Sequence, residues 1–352
     1  MAEQQMKLFP SGLDSSEIQA AVGFEVPYRG RQVYEWTSRG VAGFEFMSNL
    51  PAIDRQKLVD TFVTLRSSSV SSELEDADGS LKLQIRLRDG SAVECVLLED
   101  IEGRKTACLS SQVGCPMGCT FCQTGKLGYL RNLGPDEILE QFHFLRERRG
   151  FISNVVFMGM GEPLLNLEAV RKAIRLISDP EGIGMSHRKI TISTSGVVPA
   201  IRELADSGPR VRLAVSLTAA DNELRTELMP INKTWNLSTL KTALLYYQAK
   251  TGDRITLEVA LMGDRNVSEE DARALVKWVG KLRAQVNLIP WNAVPGLPYV
   301  EPTALQLRRF SEIVDKAGLV TVQRMHRGRG VMGACGQLGD TLTTFPSSIV
   351  SK

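Results

Sequence analysis

The residues of this sequence best suited to hold a metal centre are Cys115, Cys119 and Cys122. Their spacing, C-x3-C-x2-C, allows three thiolates to converge on one soft metal centre, and thiolates are the ligands of iron–sulfur clusters. Three ligands are one fewer than a four-iron cluster normally takes. The spacing therefore predicts a cluster with one iron left open to a small exogenous molecule.

A structural zinc site is the alternative use for clustered cysteines. Zinc prefers four closed ligands, often from two CxxC pairs. The sequence has no second CxxC, and none of its three histidines is placed as a partner. A disulfide framework fits the spacing less well than zinc does. We therefore favour the iron–sulfur interpretation.

The composition is that of an ordinary globular protein. With 352 residues, 43% hydrophobic and 23% charged, the chain can bury a large core and carry a small accessory domain. The first 12 residues lack the apolar segment of a signal peptide, and no run of about 18 apolar residues indicates a membrane span. Six cysteines, three of them clustered, favour a reducing cytoplasm. The net charge of +2 by itself gives no evidence for nucleic-acid binding.

The beginning of the chain is predicted to form a small helical accessory domain, residues 1–68. Apolar residues recur at helical spacing after Ser15 and in Tyr28–Trp36, and Pro51 opens a third helical segment in a position where proline is tolerated. A basic face on this domain is either simply solvated or able to contact phosphate groups.

A β-hairpin bridge is predicted for residues 69–100. The segment Leu81–Leu87 alternates apolar and polar residues, Asp89-Gly90 favours a tight turn, and a second strand follows over Val93–Leu98. In that strand Glu94 points away from the apolar side chains, and such a glutamate usually faces solvent.

From about residue 106 onward, apolar strand-like runs alternate with helical segments such as Asp136–Arg148 and Ser268–Leu282. Six such units favour a parallel sheet curled into a partial (β/α)6 barrel, predicted for residues 101–345. A final strand, Val320–Met325, leads into a glycine-rich tail that holds Cys335. The six predicted strands are Thr106–Ser110, Asn154–Met160, Lys189–Thr194, Arg212–Leu217, Ile255–Leu261 and Val286–Pro290.

The sequence around the three cysteines resembles the signature of radical S-adenosylmethionine (SAM) enzymes, and specifically the RlmN/Cfr family. The family methylates carbon 2 or carbon 8 of an adenine in RNA. The resemblance includes Ser110–Gly114 before the cysteines and Thr124-Gly125 and Arg131–Leu133 after them, and it covers about residues 15–345. It implies a radical SAM barrel, one 4Fe-4S cluster held by the three cysteines, and two SAM molecules per turnover.

The resemblance also assigns SAM-binding residues to the carboxyl ends of the predicted strands, where the sites of such barrels gather. At one of them, Thr218 stands where the family commonly has histidine, so a side-chain contact is in question there. The assigned residues are Gly161, Glu162, Ser193, Ser216, Leu217, Thr218 and Asn292.

Two more cysteines and one glutamate complete the chemistry that the resemblance implies. Carbon 2 of adenine is electron-poor and its C–H is not acidic, so ordinary methyl transfer fails there. Cys335 would first take a methyl group from SAM as a nucleophile. A radical formed from a second SAM would abstract hydrogen from that methyl, which would then add to the ring. Glu94 would remove the ring proton, and Cys108 would release the product by forming a disulfide with Cys335.

Each cysteine outside the cluster motif could have a structural role instead of a catalytic one, because buried cysteine is often simply a residue of the hydrophobic core. The intact Cys335–Leu338 motif, together with the cluster motif, favours catalysis for Cys335 and Cys108. Cys95 fits no role and is expected in the core. The preceding segment, Gly328–Ala334, departs from the family because it lacks an acidic residue and an Ala-Ala pair.

An RNA substrate would have to present an unstacked or flipped adenine. In the family the N-terminal domain contacts RNA, which makes Arg29, Arg31 and Lys57 candidate phosphate contacts. A second candidate is the basic tract close to Cys335 in the sequence, with Arg324, His326, Arg327 and Arg329.

Pro290–Asn292 and Gly196–Pro199 look more like the RlmN branch than the Cfr branch. That branch implies carbon-2 methylation of adenosine in 23S rRNA, in the peptidyl transferase centre, and in tRNA 3′ of the anticodon. We expect a cytoplasmic monomer served by an electron donor such as flavodoxin or ferredoxin. The alternatives are carbon-8 methylation, a non-catalytic RNA-binding protein with a redox-sensing cluster, and a radical SAM enzyme with another substrate.

Overall fold

A computed structural model describes residues 9–323 and 327–339 of the chain. Its strands, in chain order, are β1 (Ser69–Glu75), β2 (Leu81–Arg86), β3 (Ala92–Glu99), β4 (Lys105–Cys108), β5 (Gln112–Gly114), β6 (Tyr129–Asn132), β7 (Asn154–Phe157), β8 (Ile190–Thr194), β9 (Arg212–Ser216), β10 (Ile255–Leu261), β11 (Ala284–Pro290) and β12 (Val320–Gln323).

Within these residues, one ten-stranded sheet has the order β1-β2-β3-β4-β7-β8-β9-β10-β11-β12. The strands β1 to β4 pair antiparallel, and from β4 onward every neighbouring pair is parallel. The six predicted strands correspond to β4 and β7–β11, which confirms the radical SAM-type α/β fold class. The predicted strand Val320–Met325 is observed as far as Gln323, and its last two residues lie outside the described ranges.

Helices connect the parallel strands, as right-handed βαβ units require. The α-helices of the described residues are α1 (Ser15–Val22), α2 (Arg29–Arg39), α3 (Ala52–Phe62), α4 (Gln123–Leu127), α5 (Pro135–Arg149), α6 (Leu167–Ser178), α7 (Val198–Ser207), α8 (Asn222–Leu228), α9 (Leu237–Thr251), α10 (Glu269–Val279) and α11 (Ala304–Lys316). Of these, α1–α3 precede β1 and connect no parallel strands. None of these helices is long and apolar enough to cross a membrane.

Local sequence explains how several helices begin. Ser268 caps α10 by accepting a hydrogen bond from the backbone amide of Asp271, and the Asp271 carboxylate accepts one from the backbone amide of Ser268 in return, which forms a capping box. Asp14 caps α1 in the same way with Glu17. Pro51 stands one position earlier than predicted, as the residue before α3.

The N-terminal helices are tied to the barrel through Glu140, a fully buried residue of α5. Its carboxylate accepts hydrogen bonds from the Ser11 hydroxyl (2.8 Å) and from the backbone amides of Ser67 (2.8 Å) and Ser68 (2.9 Å). These donors flank α1–α3 at both ends, so one carboxylate anchors the entry and the exit of that helical region. The domain boundaries at residues 68 and 100 stay predictions.

Candidate active site

The three cysteines of the predicted cluster lie between β5 and α4, on a loop framed by the antiparallel β5–β6 pair. The backbone amide of Cys115 donates to Gly128 O (2.7 Å), which closes the base of the loop. Gly114 has φ +74°, and a Cβ there would lie 2.0 Å from Gly128 O. Glycine is therefore required at that position for the two ends of the loop to meet.

All three thiols face one cavity, which we call the first cavity. Its lining residues are Cys115, Met117, Cys119, Phe121, Cys122, Gly125, Phe157, Met158, Gly159, Gly161, Glu162, Ser193, Thr194, Ser195, Ser216, Thr218, Met229, Glu258, Ala260, Ile289, Trp291, Asn292, Cys335 and Gly336. The cavity opens at the carboxyl ends of β7–β11, where a barrel of this type places its site.

The electrostatics of the thiols suit an iron–sulfur cluster. Burial raises the pKa of Cys115 to about 12 and raises the pKa of Cys119 and of Cys122 as well. Such thiols ionise when a metal cation binds them. No three ligand side chains in the described ranges are grouped closely enough for a single ion. Each cysteine of a 4Fe-4S cluster binds a different iron, so a cluster needs no such grouping.

The structure brings most of the predicted SAM-binding residues into the first cavity, with Leu217 as the exception. Leu217 is fully buried and does not line the cavity. Its backbone amide donates to Glu258 O (2.9 Å), which ties the end of β9 to β10. Any contact of Leu217 with a ligand would therefore run through its backbone.

Glu162 follows β7 and is almost completely buried. Its Oε2 accepts hydrogen bonds from the backbone amide and the hydroxyl of Ser195, both at 2.7 Å, and its Oε1 accepts from Leu164 N (3.1 Å). Burial raises the pKa of Glu162, although the Ser195 hydrogen bonds oppose this. The site thus holds a carboxyl group in a fixed orientation, ready for a cationic ligand.

Thr218, the position at which the family commonly has histidine, lines the first cavity with φ +59°. A β-branched residue rarely adopts this left-handed conformation. The Asn266 side chain donates to Thr218 O (2.8 Å), and Thr218 N donates to Glu258 O (3.3 Å). These bonds hold the strained backbone of Thr218 in place at the cavity wall.

Sequence reasoning missed three polar residues at this site: Ser195, Glu258 and Arg225. Glu258 interrupts the otherwise apolar strand β10, which was a readable signal, and its carboxylate accepts from Asn287 Nδ2 (2.8 Å). Arg225 is fully buried on the short helix α8. A charged residue on a short helix normally faces solvent, so its sequence gave no sign of burial.

The structure places Cys335 between two cavities. Cys335 lines the first cavity and also a second cavity, which Cys108 lines as well. Asn292 Nδ2 donates to Cys335 O (3.1 Å), and Gln123 N at the start of α4 donates to Gly336 O (2.7 Å). The Thr124 hydroxyl donates to Leu338 O (2.6 Å). The cluster loop and the Cys335 segment are thus attached to each other.

Glu94 is buried and does not reach solvent. Its carboxylate forms an ion pair with Lys82 Nζ (3.1 Å) and accepts a hydrogen bond from Gly339 N (2.7 Å), in a third cavity bordered by the Cys335 segment. Val96 pairs directly opposite Cys108, so Glu94, two residues before Val96, has its side chain on the same face of the sheet as Cys108. The two proposed catalytic groups share one face but open into different cavities.

The glycine-rich segment before Cys335 is clamped by the turn between β1 and β2. Asp78 Oδ2 accepts a hydrogen bond from Gly328 N and Asp76 Oδ2 accepts one from Gly330 N, both at 2.8 Å. Gly333 N donates to Gly328 O (2.7 Å) and closes the segment into a compact loop. Burial opposes ionisation of Asp78, but hydrogen bonds from Ser80 and Gly328 keep its pKa below the ordinary value.

Replacing Asp78 with alanine should loosen this loop. A hydrogen bond to a charged acceptor contributes about 1.5 kcal/mol, which corresponds to roughly tenfold in an equilibrium. We expect the Gly328 amide to exchange hydrogen about tenfold faster and Cys335 to react faster with iodoacetamide. The control is Asp89→Ala. Asp89 is also a turn aspartate, and it accepts a hydrogen bond from the backbone amide of Ser91 but does not contact the loop before Cys335. Equal exchange rates in both variants would contradict the clamp.

The candidate phosphate contacts are partly engaged within the protein. Arg29 Nε pairs with Asp54 (2.9 Å), and Arg31 Nε lies 3.3 Å from Glu35. Arg327 lines the second cavity and donates to Glu99 O, while Arg329 pairs with Glu301. Arg324 and His326 lie outside the described residues.

Cys95 is fully buried, which confirms its expected place in the core.

Comparison with known proteins supports the same assignment. The family model described as the radical SAM superfamily matches residues 109–279. The "Probable dual-specificity RNA methyltransferase RlmN" of Treponema pallidum (strain Nichols) is 47% identical over 331 residues, covering 94% of this chain and 97% of that protein. The "Dual-specificity RNA methyltransferase RlmN" of Syntrophobacter fumaroxidans is 43% identical, with 89% and 92% covered.

The crystal structure of a radical SAM methyltransferase from Sphaerobacter thermophilus superposes with a TM-score of 0.90 at 36% identity, covering 94% of this chain and 99% of that one. Identity at this level over nearly the whole length shows a common family and fold. The predicted cofactors, a 4Fe-4S cluster and SAM, are those of the family. The chain belongs to the RlmN family and is a radical SAM methyltransferase.

Proposed function

We propose that this enzyme methylates carbon 2 of adenosine in 23S rRNA, in the peptidyl transferase centre, and in tRNA at the position 3′ of the anticodon. The names of its relatives describe dual-specificity RNA methyltransferases. The observation that carries the proposal is the place of Cys335, which lines both the first cavity, with the three clustered cysteines, and the second cavity, with Cys108. A flavodoxin- or ferredoxin-like electron donor and a monomeric state are part of the proposal.

Cys335 is the group that carries the methyl. Its thiolate attacks the methyl carbon of one SAM, an S–CH3 bond forms, and S-adenosylhomocysteine leaves. Cys115, Cys119 and Cys122 would hold the 4Fe-4S cluster, which would supply the electron for reductive cleavage of a second SAM to a 5′-deoxyadenosyl radical. The methyl on Cys335 loses one hydrogen atom to that radical, and the resulting methylene radical adds to carbon 2 of the adenine. The adduct must then give up one electron, for which the oxidised cluster would be the acceptor.

Release of the product requires a base and a second thiol. Glu94 accepts the proton of carbon 2, and its carboxylate is held in place by Lys82 and by the backbone amide of Gly339. Because Glu94 opens into the third cavity, proton transfer requires either a shift of the Gly339 segment or a path through water. The Cys108 thiolate then attacks the Cys335 sulfur and the S–CH2 bond breaks. Its electron pair stays on the methylene carbon, which takes up a proton to complete the methyl group. An external thiol later reduces the disulfide.

Glu162 is assigned to the amino group of SAM. Replacing it with glutamine removes an anionic acceptor, and a charge-assisted hydrogen bond of about 2 kcal/mol predicts roughly thirtyfold weaker SAM binding. Because burial raises the pKa of Glu162, affinity in the wild type should also fall as the pH drops toward that pKa and the carboxylate is protonated. Isothermal titration at several pH values measures both effects. The control, Glu168→Gln, changes an exposed glutamate of α6, and equal affinity in both variants would contradict the assignment.

The reaction itself is tested by anaerobic incubation with ribosomal and transfer RNA, a reductant and SAM labelled in the methyl group. The RNA is digested and its nucleosides are identified by mass spectrometry. We expect labelled 2-methyladenosine from both RNA classes. Labelled 8-methyladenosine would overturn the choice of carbon, and SAM cleavage without a labelled nucleoside would overturn the choice of substrate.

A further inference from the structure

Arg225 is fully buried behind Ser195 and Ser216, two residues that line the first cavity and whose backbone carbonyls it contacts. Every hydrogen bond described for it goes to a neutral acceptor: Nε donates to Leu217 O (3.2 Å), Nη1 to Asn232 Oδ1 (2.9 Å), and Nη2 to Ser195 O (2.8 Å) and Ser216 O (3.3 Å). Among the ion pairs of the described residues, none involves Arg225. Each of its three nitrogens thus donates at least one hydrogen bond, but no opposite charge on the described residues neutralises the guanidinium.

A buried charge without an opposite charge is strongly unfavourable, even when its hydrogen bonds are complete. Such a residue is therefore expected to have an anion nearby when the protein is in its working state. The four acceptors come from the ends of β8 and β9 and from the segment after α8, and the first cavity lies at those strand ends. The missing anion belongs on the cavity side of the guanidinium.

Arg225 also interacts electrostatically with Cys119, on the cluster loop. Burial lowers the pKa of Arg225 to about 10, and the thiolate that Cys119 forms on metal binding would favour the cationic guanidinium. Helix α8 also contacts the loop directly, because Thr120 N donates to Leu228 O (3.0 Å). The buried cation and the cluster loop are thus held at a fixed separation by backbone contacts.

We propose that Arg225 is the counter-charge of the iron–sulfur cluster and that it raises the reduction potential of the cluster. The proposal rests on ligation of the cluster by Cys115, Cys119 and Cys122. Three thiolates and an oxidised 4Fe-4S core carry one net negative charge, and one electron from an external reductant adds a second. A fixed cation beside them stabilises the reduced state more than the oxidised one.

The test compares Arg225→Gln, which keeps hydrogen-bond donors but removes the charge, with Arg225→Lys, which keeps a charge. Each protein is reconstituted anaerobically, its iron content is measured, and its cluster is titrated by electron paramagnetic resonance at set potentials. In Arg225→Gln the ratio of reduced to oxidised cluster should fall about tenfold, a shift of about 59 mV for one electron. In Arg225→Lys the ratio of reduced to oxidised cluster should stay within about twofold of the wild-type ratio, because lysine keeps the positive charge.

The control is Arg171→Gln, on α6, where the arginine bonds to Gly208 O and Glu203 on the outside of the barrel. An unchanged potential in Arg225→Gln with full iron content would overturn the proposal, as would equal shifts in the glutamine and lysine variants, which would show a structural role. If Arg225→Gln fails to assemble a cluster, a wild-type potential in Arg225→Lys supports the proposal and a shifted one overturns it. A cluster that persists in Cys115→Ala would instead overturn the ligand assignment.

Discussion

Replacing Cys108 with alanine is expected to trap the enzyme covalently on its RNA. Cys335 can still accept a methyl group and join it to the adenine, but no thiol then attacks the Cys335 sulfur to release the product. Cys108 lies in the second cavity together with Cys335, which puts the two residues at one cavity wall. Turnover should stop after a single addition, and a protein–RNA adduct should appear on a denaturing gel with labelled RNA.

The matched control for this prediction is Cys95→Ala. Cys95 lies on the neighbouring strand β3 and is fully buried, so its loss tests whether any cysteine change at this part of the sheet blocks release. The double variant Cys108→Ala/Cys335→Ala should form no adduct, because the methyl carrier is missing. Normal turnover by Cys108→Ala would show that another group resolves the adduct.

Replacing Cys119 with alanine should abolish the cluster and with it all cleavage of SAM. A four-iron cluster with one open iron needs three thiolate ligands. The two cysteines that remain in the variant therefore cannot hold the cluster stably. We expect iron and sulfide to fall to background after reconstitution and 5′-deoxyadenosine to be undetectable by chromatography.

Cys335→Ala is the informative comparison for the cluster variant, since Cys335 lines the same cavity but is assigned to methyl transfer. It should keep the iron of the wild type while losing all labelled RNA product. Loss of iron in Cys335→Ala, or retention of iron in Cys119→Ala, would contradict the division of roles between the cysteines.

The parallel strands β8–β11 were predictable because they are largely apolar and buried, with turns between them. The strand β1 was not, since it lies at the edge of the sheet and six of its seven residues are exposed, so its sequence, Ser69–Glu75, has no apolar alternation. The β5–β6 pair was missed because strands of three and four residues carry too little pattern. Short and exposed strands are set by their neighbours in space, which a linear pattern does not reveal.

Site residues could be predicted where they belong to a sequence motif. They could not be predicted where their burial and hydrogen bonds depend on residues far away in the sequence. The clustered cysteines, Glu162 and Cys335 could be assigned through motifs. The burial of Glu94 depends on Lys82 across the hairpin and on Gly339, far along the chain, so its own strand indicates only an ordinary solvent-facing residue. The same holds for the clamp formed by Asp76 and Asp78, whose turn sequence predicts a hairpin but not its contact with the loop before Cys335.

The central claim, that the methyl carbon passes through Cys335 before it reaches RNA, is tested most directly with SAM that carries a trideuterated methyl group. Hydrogen abstraction from the methyl on Cys335 predicts 5′-deoxyadenosine with one deuterium and a methyladenosine that keeps at most two. Mass spectrometry should also find the labelled methyl on the Cys335 peptide before RNA is added. A product nucleoside that retains all three deuterium atoms would contradict the account, because it would show direct transfer from SAM to RNA.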